Sequence, residues 1–205
     1  MSGRRALILG FAAVIASMVL LFSVPQSWFV PATFVSTSCM MAAALTTGGA
    51  RLPKRPRYKA IVIGAATALV LYGVFFVGAW MVSTFHPFGI TSASEGSIYS
   101  LISAPTNPLP LQVGVLLFDS AGYESYFRGT LQSRLTPSLG VAAAPAVALL
   151  DACIHLITLN ILWVGATFVT DTIWGLTYQY GKGSQSSFTS HLIWDLAIFI
   201  IRPIK

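Results

Sequence analysis

The chain has 205 residues, 55% of them hydrophobic and 9% charged, with a net charge of +6 and a mean hydropathy of +0.75. A soluble domain carries about 25% charged residues, so this composition excludes an ordinary soluble protein and points to one integral-membrane domain over residues 1–205: all-α, a polytopic bundle of about seven spans. The basic excess is no nucleic-acid footprint, because Lys and Arg gather in short loops as orientation signals do; Cys39 and Cys153 lie in apolar segments without zinc-type spacing.

The first apolar segment runs from about Ala6 to Val24 behind Arg4 and Arg5. It is long for a signal peptide and no small-x-small cleavage site follows, so it reads as a signal-anchor. The second is roughly Pro31 to Thr47, followed by the strongest basic cluster, Arg51, Lys54, Arg55, Arg57 and Lys59. The third covers about Ala60 to Phe85. Pro87 to Pro110 is rich in Ser, Gly, Pro and Thr, lacks Lys and Arg, and reads as an extramembrane loop. Segment four spans about Leu111 to Leu135 and is broken by Pro137; segment five runs from Gly140 to about Leu159. Segment six, about Ile161 to Tyr180, ends at Gly181-Lys182-Gly183-Ser184, and segment seven, Phe188 to Ile201, closes at Pro203. About twenty residues cross the hydrocarbon core, so segments two and seven are short. The basic residues place the N-terminus and the Arg51–Lys59 loop in the cytoplasm and the Val24–Val30 and Pro87–Pro110 loops outside. Arg134 and Lys182 fall on the inner side, whereas seven spans put Arg202 and Lys205 outside, a violation that a re-entrant segment removes.

The acids are the informative residues. There are six, Glu95, Asp119, Glu124, Asp151, Asp171 and Asp195, and five of them fall within or at the ends of apolar segments in the second half. An ionisable side chain at mid-bilayer costs about 2.5–3.5 kcal/mol on insertion scales. Three pairs stand four residues apart, Glu124 with Arg128, Asp151 with His155 and His191 with Asp195, and on a helix such partners share a face. They predict one buried polar site built from three helices. In the hairpin around Thr136–Gly140, Glu124 and His155 lie at nearly equal depth, so their faces can meet. His191 is shallower on a simple drawing, a mismatch resolved by tilt, by a break near Thr158–Asn160, or by a different segment boundary.

Carboxylates and imidazoles in a dry cavity have two uses. They can bind a divalent metal such as zinc, with His155 and His191 as ligands, or they can activate a water, a carboxylate serving as general base. The neighbouring Arg128 suits Glu124 to an electrostatic anchor rather than a base. Asp171 reads as a structural hydrogen-bonding residue and Asp119 as a boundary residue.

Tyr123-Glu124-Ser125-Tyr126-Phe127-Arg128-Gly129 resembles the E-E-x-x-x-R-G motif of the CAAX-protease and bacteriocin-processing (CPBP, or ABI) membrane proteins, the type II CAAX prenyl endopeptidase-like family. Asp151-Ala-Cys-Ile-His155 resembles its F-x-x-x-H motif with Asp for Phe; His191-Leu-Ile-Trp-Asp195 matches its H-x-x-x-N/D motif, and Gly175-Leu-Thr-Tyr178 its G-x-x-Y. The likeness covers about residues 111–205, which it marks as the catalytic core. It implies intramembrane endoproteolysis by a metalloendopeptidase-like enzyme of the membrane, in a prokaryotic cell, acting on a peptide or prenylated protein within the lipid bilayer. In such enzymes a Glu and a His activate water while a second His and the following Asn or Asp stabilise the oxyanion. The implied catalytic set is Glu124, His155, His191 and Asp195, supported by Tyr123, Arg128 and Asp151.

One departure bears on activity. Tyr123 stands where the family has the first Glu, its expected water activator, and a phenol with an ordinary pKa of about 10 is a poor base near neutral pH. Glu124 points about 100° away around the helix. Asp119, one turn before Tyr123, or Asp151, on the face of His155, can take the role; otherwise the chain is an inactive relative that binds. A proton-coupled transporter also uses intramembrane Asp and His, but carriers often have two related halves, and here the chemistry sits in one. A retinal protein lacks its mid-helix Lys, and two poorly levelled histidines argue against a bis-histidine haem.

Overall fold

The computed structural model describes residues 3–49, 57–85, 107–181 and 183–204. Arg51 to Arg55, Glu95, Lys182, Lys205 and most of the Arg51–Lys59 and Pro87–Pro110 loops lie outside the described residues. Every regular element among the described residues is a helix. Helix α1 is Gly3–Ser23, α2 Phe29–Thr47, α3 Tyr58–Phe85 and α4 Leu109–Tyr123. Helix α4 runs on through a π-helical stretch, Glu124–Gln132, into α5, Ser133–Leu139. Then come α6, Ala143–His155, α7, Ile161–Tyr180, and α8, Ser184–Leu196, which ends in a second π stretch, Ala197–Ile201.

Local chemistry sets these boundaries. Helix α2 stops at Gly48, whose φ of 73° is left-handed. The N–H groups of Gly48 and Gly49 return to the carbonyls of Leu45 and Ala44 at 3.2 and 2.8 Å, the cap that satisfies the last acceptors of a helix. Helix α6 ends at His155; a short 3-10 turn and Leu159, at φ 53°, reverse the chain. Asn160 then starts α7, its side-chain oxygen accepting from the N–H groups of Leu162 and Trp163 at 3.1 and 3.2 Å. This is the expected break near Thr158–Asn160.

The bundle is apolar outside and polar inside. Helix α3 buries Ala60, Gly64, Ala68 and Leu71, a stripe three or four residues apart, and turns Leu69, Val70, Phe76 and Trp80 outward. Such an exterior suits lipid, where small residues and polar groups make the helix contacts. Helix α1 packs on α2, α2 on α4, α3 on α8, and α6 on α7, which also meets α8. Helices α2 and α4 approach closely at Gly122, where an added Cβ would fall 2.4 Å from Cγ2 of Thr37.

All seven expected segments are helical, but four stretches among the described residues are long and apolar enough to cross a bilayer: Arg5–Ser23, Gln26–Thr47, Tyr58–Phe85 and Leu109–Thr158. The fourth folds back on itself around Gly140, so it holds more than one helix. Helix α6 has 13 residues, short of the about twenty that a span needs. Length and hydropathy thus support four spans and do not establish seven.

Candidate active site

The site begins with a buried cation. Arg128 lies in the π stretch and is fully buried. Its Nη2 meets Oδ1 of Asp171 on α7 at 2.8 Å, and its Nε lies 3.7 Å from Oε2 of Glu124. Its Nη1 donates to Oε1 of Gln132 at 3.4 Å, and Gln132 donates onward to the carbonyl of Gly175 at 2.8 Å. Desolvating a guanidinium costs several kcal/mol unless partners surround it, of order a few per ion after relaxation. The widened turns of the π stretch, whose backbone bonds run from i to i+5, keep Glu124 and Arg128 side by side while the end of the guanidinium faces α7.

Glu124 carries the network to α8. Its Oε1 lies 3.1 Å from Nδ1 of His191, and Nε2 of the same ring lies 3.3 Å from Oδ2 of Asp195. A carboxylate oxygen only accepts, so each contact is a hydrogen bond where that ring nitrogen carries the proton. The imidazole is stacked on Trp174, centroids 3.7 Å apart and planes 14° apart, and the Tyr123 ring stands edge-on to it at 5.2 Å. Ser120 adds a bond to Asp195 at 3.4 Å.

The other side joins α4 to α6. The Tyr123 hydroxyl donates to Oδ2 of Asp151, and its ring stacks on Phe127 with centroids 4.3 Å apart. Nδ1 of His155 lies 3.0 Å from the Asp151 carbonyl and 3.6 Å from Oδ2. Phe22 and Trp163 flank the His155 ring at 4.6 and 5.7 Å. Asp119 accepts from the Thr37 hydroxyl at 2.8 Å. These groups border a cavity of about 510 Å³ with otherwise largely apolar walls from α1, α3, α7 and α8, a size suited to a small ligand or a peptide side chain.

All three sequence-spaced pairs are in contact, at 3.7, 3.6 and 3.3 Å. His155, His191 and Asp195 line the cavity, with Tyr123 and Asp151. Glu124 does not: it sits behind His191 and is 1% exposed, which corrects the expectation that all four catalytic candidates would face one space. Two roles went unread in the sequence. Asp171 is the closest anion to Arg128, and Trp174 supports His191. Asp171 had a signal, being a costly acid in an apolar segment; a tryptophan in such a segment has none.

The donor set does not fit a divalent ion on His155 and His191. Among the described residues no group of three or more His, Cys, Asp or Glu side chains is placed to hold a metal. Both nitrogens of His191 already face carboxylates, and Nδ1 of His155 is taken by a backbone carbonyl.

Residues 105–197 match the family described as type II CAAX prenyl endopeptidase, Rce1-like. The matched stretch contains Tyr123, Glu124, Arg128, Asp151, His155, His191 and Asp195. No curated protein and no solved structure matches the chain. With the apolar helices, the match marks a membrane protein whose residues 105–197 are similar to the CAAX-protease family, which supports an intramembrane protease.

Proposed function

We propose that the chain hydrolyses a peptide bond in a membrane-embedded or prenylated peptide, using a water activated by buried carboxylate and imidazole groups. One observation carries this reading: His155, His191, Asp151 and Asp195 border a cavity that is otherwise largely apolar. Apolar walls suit a lipid-linked chain, and the polar patch is where a scissile carbonyl would meet water. His155, once protonated on Nε2, would polarise the developing oxyanion, the kind of preorganised stabilisation that contributes most in a dry site. Glu124 would hold His191 in place, with Asp195 on the other nitrogen. No step is assigned to a metal.

Purified protein in nanodiscs, incubated with a prenylated CAAX peptide library and read by mass spectrometry, should release a C-terminal tripeptide. His191→Ala should abolish release. Unchanged cleavage by that variant would remove this site from the reaction. Tyr123 favours a second reading, an inactive relative that binds the same peptide; binding without cleavage would establish it. We propose a cytoplasmic N-terminus. With Cys39 and Cys153 replaced by Ala, the Pro53→Cys variant should resist an impermeant external thiol reagent, and labelling would reverse the orientation.

A further inference from the structure

We propose that Asp151 is the general base of this site and that Tyr123 positions it; the inference rests on the protease reading. Position 123, where the resemblance expects a carboxylate, holds a phenol, and position 151, where it expects phenylalanine, holds a carboxylate. The structure brings these two side chains together across the interface of α4 and α6, with the Tyr123 hydroxyl donating to Oδ2 of Asp151. A ring and a carboxylate have changed places across one contact, and the acid remains at the cavity wall.

The state of the other acids singles Asp151 out. Glu124 is occupied by His191 and Arg128 and does not reach the cavity. Asp171 is paired with Arg128 through Oδ1, and its Oδ2, although without a hydrogen-bond partner, is not at the cavity wall. Asp195 receives His191 and Ser120 on one oxygen, and Asp119 receives Thr37. Asp151 is fully buried, its Oδ2 is held by Tyr123, and its Oδ1 has no partner. A buried unpaired acceptor costs about 1–3 kcal/mol or more when charged. A water in the adjoining cavity relieves that cost and becomes the nucleophile.

His155 stands one turn on. Its Nδ1 lies 3.0 Å from the Asp151 carbonyl; a carbonyl only accepts, so Nδ1 carries the proton and Nε2 is left as the ring's acceptor. In the reaction Asp151 Oδ1 takes one proton from the water as the water oxygen bonds to the scissile carbonyl carbon. The resulting oxyanion collapses, the C–N bond breaks, and the proton held on Asp151 passes to the departing amine nitrogen. Peptide and water are consumed, acid and amine are formed, and the site returns to its starting state.

The test compares wild type with Asp151→Asn, Asp151→Phe, Tyr123→Phe and the exchange Tyr123→Glu/Asp151→Phe, on the same prenylated peptide in nanodiscs. Asp151→Asn should lower kcat by about 10²–10⁴-fold, the usual worth of general-base assistance, with KM little changed. Tyr123→Phe should lower kcat less, again at constant KM. The exchange should recover activity that Asp151→Phe alone has lost, a rescue that a purely structural role for the pair would not give. Binding of a non-cleavable peptide shows that each variant is folded. An active Asp151→Asn alongside an inactive His191→Ala would overturn the base assignment and leave the protease reading standing. An inactive wild type with an active exchange variant would overturn both and identify an inactive relative. No cleavage by either would overturn both without that identification.

Discussion

The two sides of the buried cluster differ in how many charges hold one another and in whether their central acids face the cavity. On the Arg128 side the charges form a closed chain from Asp171 through Arg128 and Glu124 to His191 and Asp195, behind Trp174. On the Asp151 side, Tyr123 and His155 meet one acid whose second oxygen has no partner, at the edge of a cavity. A chain of mutually paired charges fixes geometry, because every member resists displacement, even though Oδ2 of Asp171 is left without a hydrogen bond. An incompletely paired group beside open space is where a water or substrate can enter. The first side is built to hold, the second to react.

The largest effect expected from breaking this contrast is at Arg128. Arg128→Met removes the one cation that Asp171 and Glu124 share and leaves both acids buried. Removing one partner of a buried pair costs about 3–5 kcal/mol. For a chain of this size that is a fall of roughly 6–20 °C in Tm, read by thermal unfolding in detergent. A variant that melts with wild type would show that the closed chain does not hold the fold.

His155→Ala probes the open side, and its effect falls on activity instead. The packing of the imidazole against Phe22 and Trp163 is worth about 0.5–1.5 kcal/mol per ring beyond area, and the void that the substitution leaves opens onto an existing cavity. Cleavage should drop by at least about 10²-fold while Tm moves by a few degrees. Parallel losses of cleavage and stability at His155 and Arg128 would erase the distinction between the two sides.

Much of this contrast was legible in the sequence, and the missing part has a physical reason. The spacing of Glu124 with Arg128, Asp151 with His155, and His191 with Asp195 was enough to pair them, since partners within a helix are fixed by its geometry. The end of α2 at Thr47 is where the second apolar segment was expected to stop, and a break near Thr158–Asn160 was one of three ways to level His191 with His155. What crosses between helices was not legible. Periodicity cannot say that Asp171, rather than Glu124, lies closest to Arg128, or that Glu124 turns behind His191 and out of the cavity. The π stretch at Glu124–Gln132 changes the facing of the helix just where the motif lies, and no local residue pattern announces it. Hydropathy found every helical segment but does not establish seven spans, because an apolar helix of 13 residues such as α6 has the composition of a span without its length.

The smallest effect lies at the border of the two sides, at Asp119. This half-buried acid lines the cavity, and its one described hydrogen bond comes from Thr37 on α2. Thr37→Val keeps the shape of a fully buried side chain and removes its hydroxyl. Unlike Asp171 after loss of Arg128, Asp119 can turn its freed oxygen to water in the cavity, so the cost should be that of one ordinary hydrogen bond, about 0.5–1.5 kcal/mol. Cleavage should persist, because Asp119 holds its helix to α2 and the reacting water belongs to Asp151. If Thr37→Val instead lowers kcat as far as Asp151→Asn does, with little change in Tm, Asp119 is the acid that activates the water. The open side would then have to be redrawn around α4 and α2.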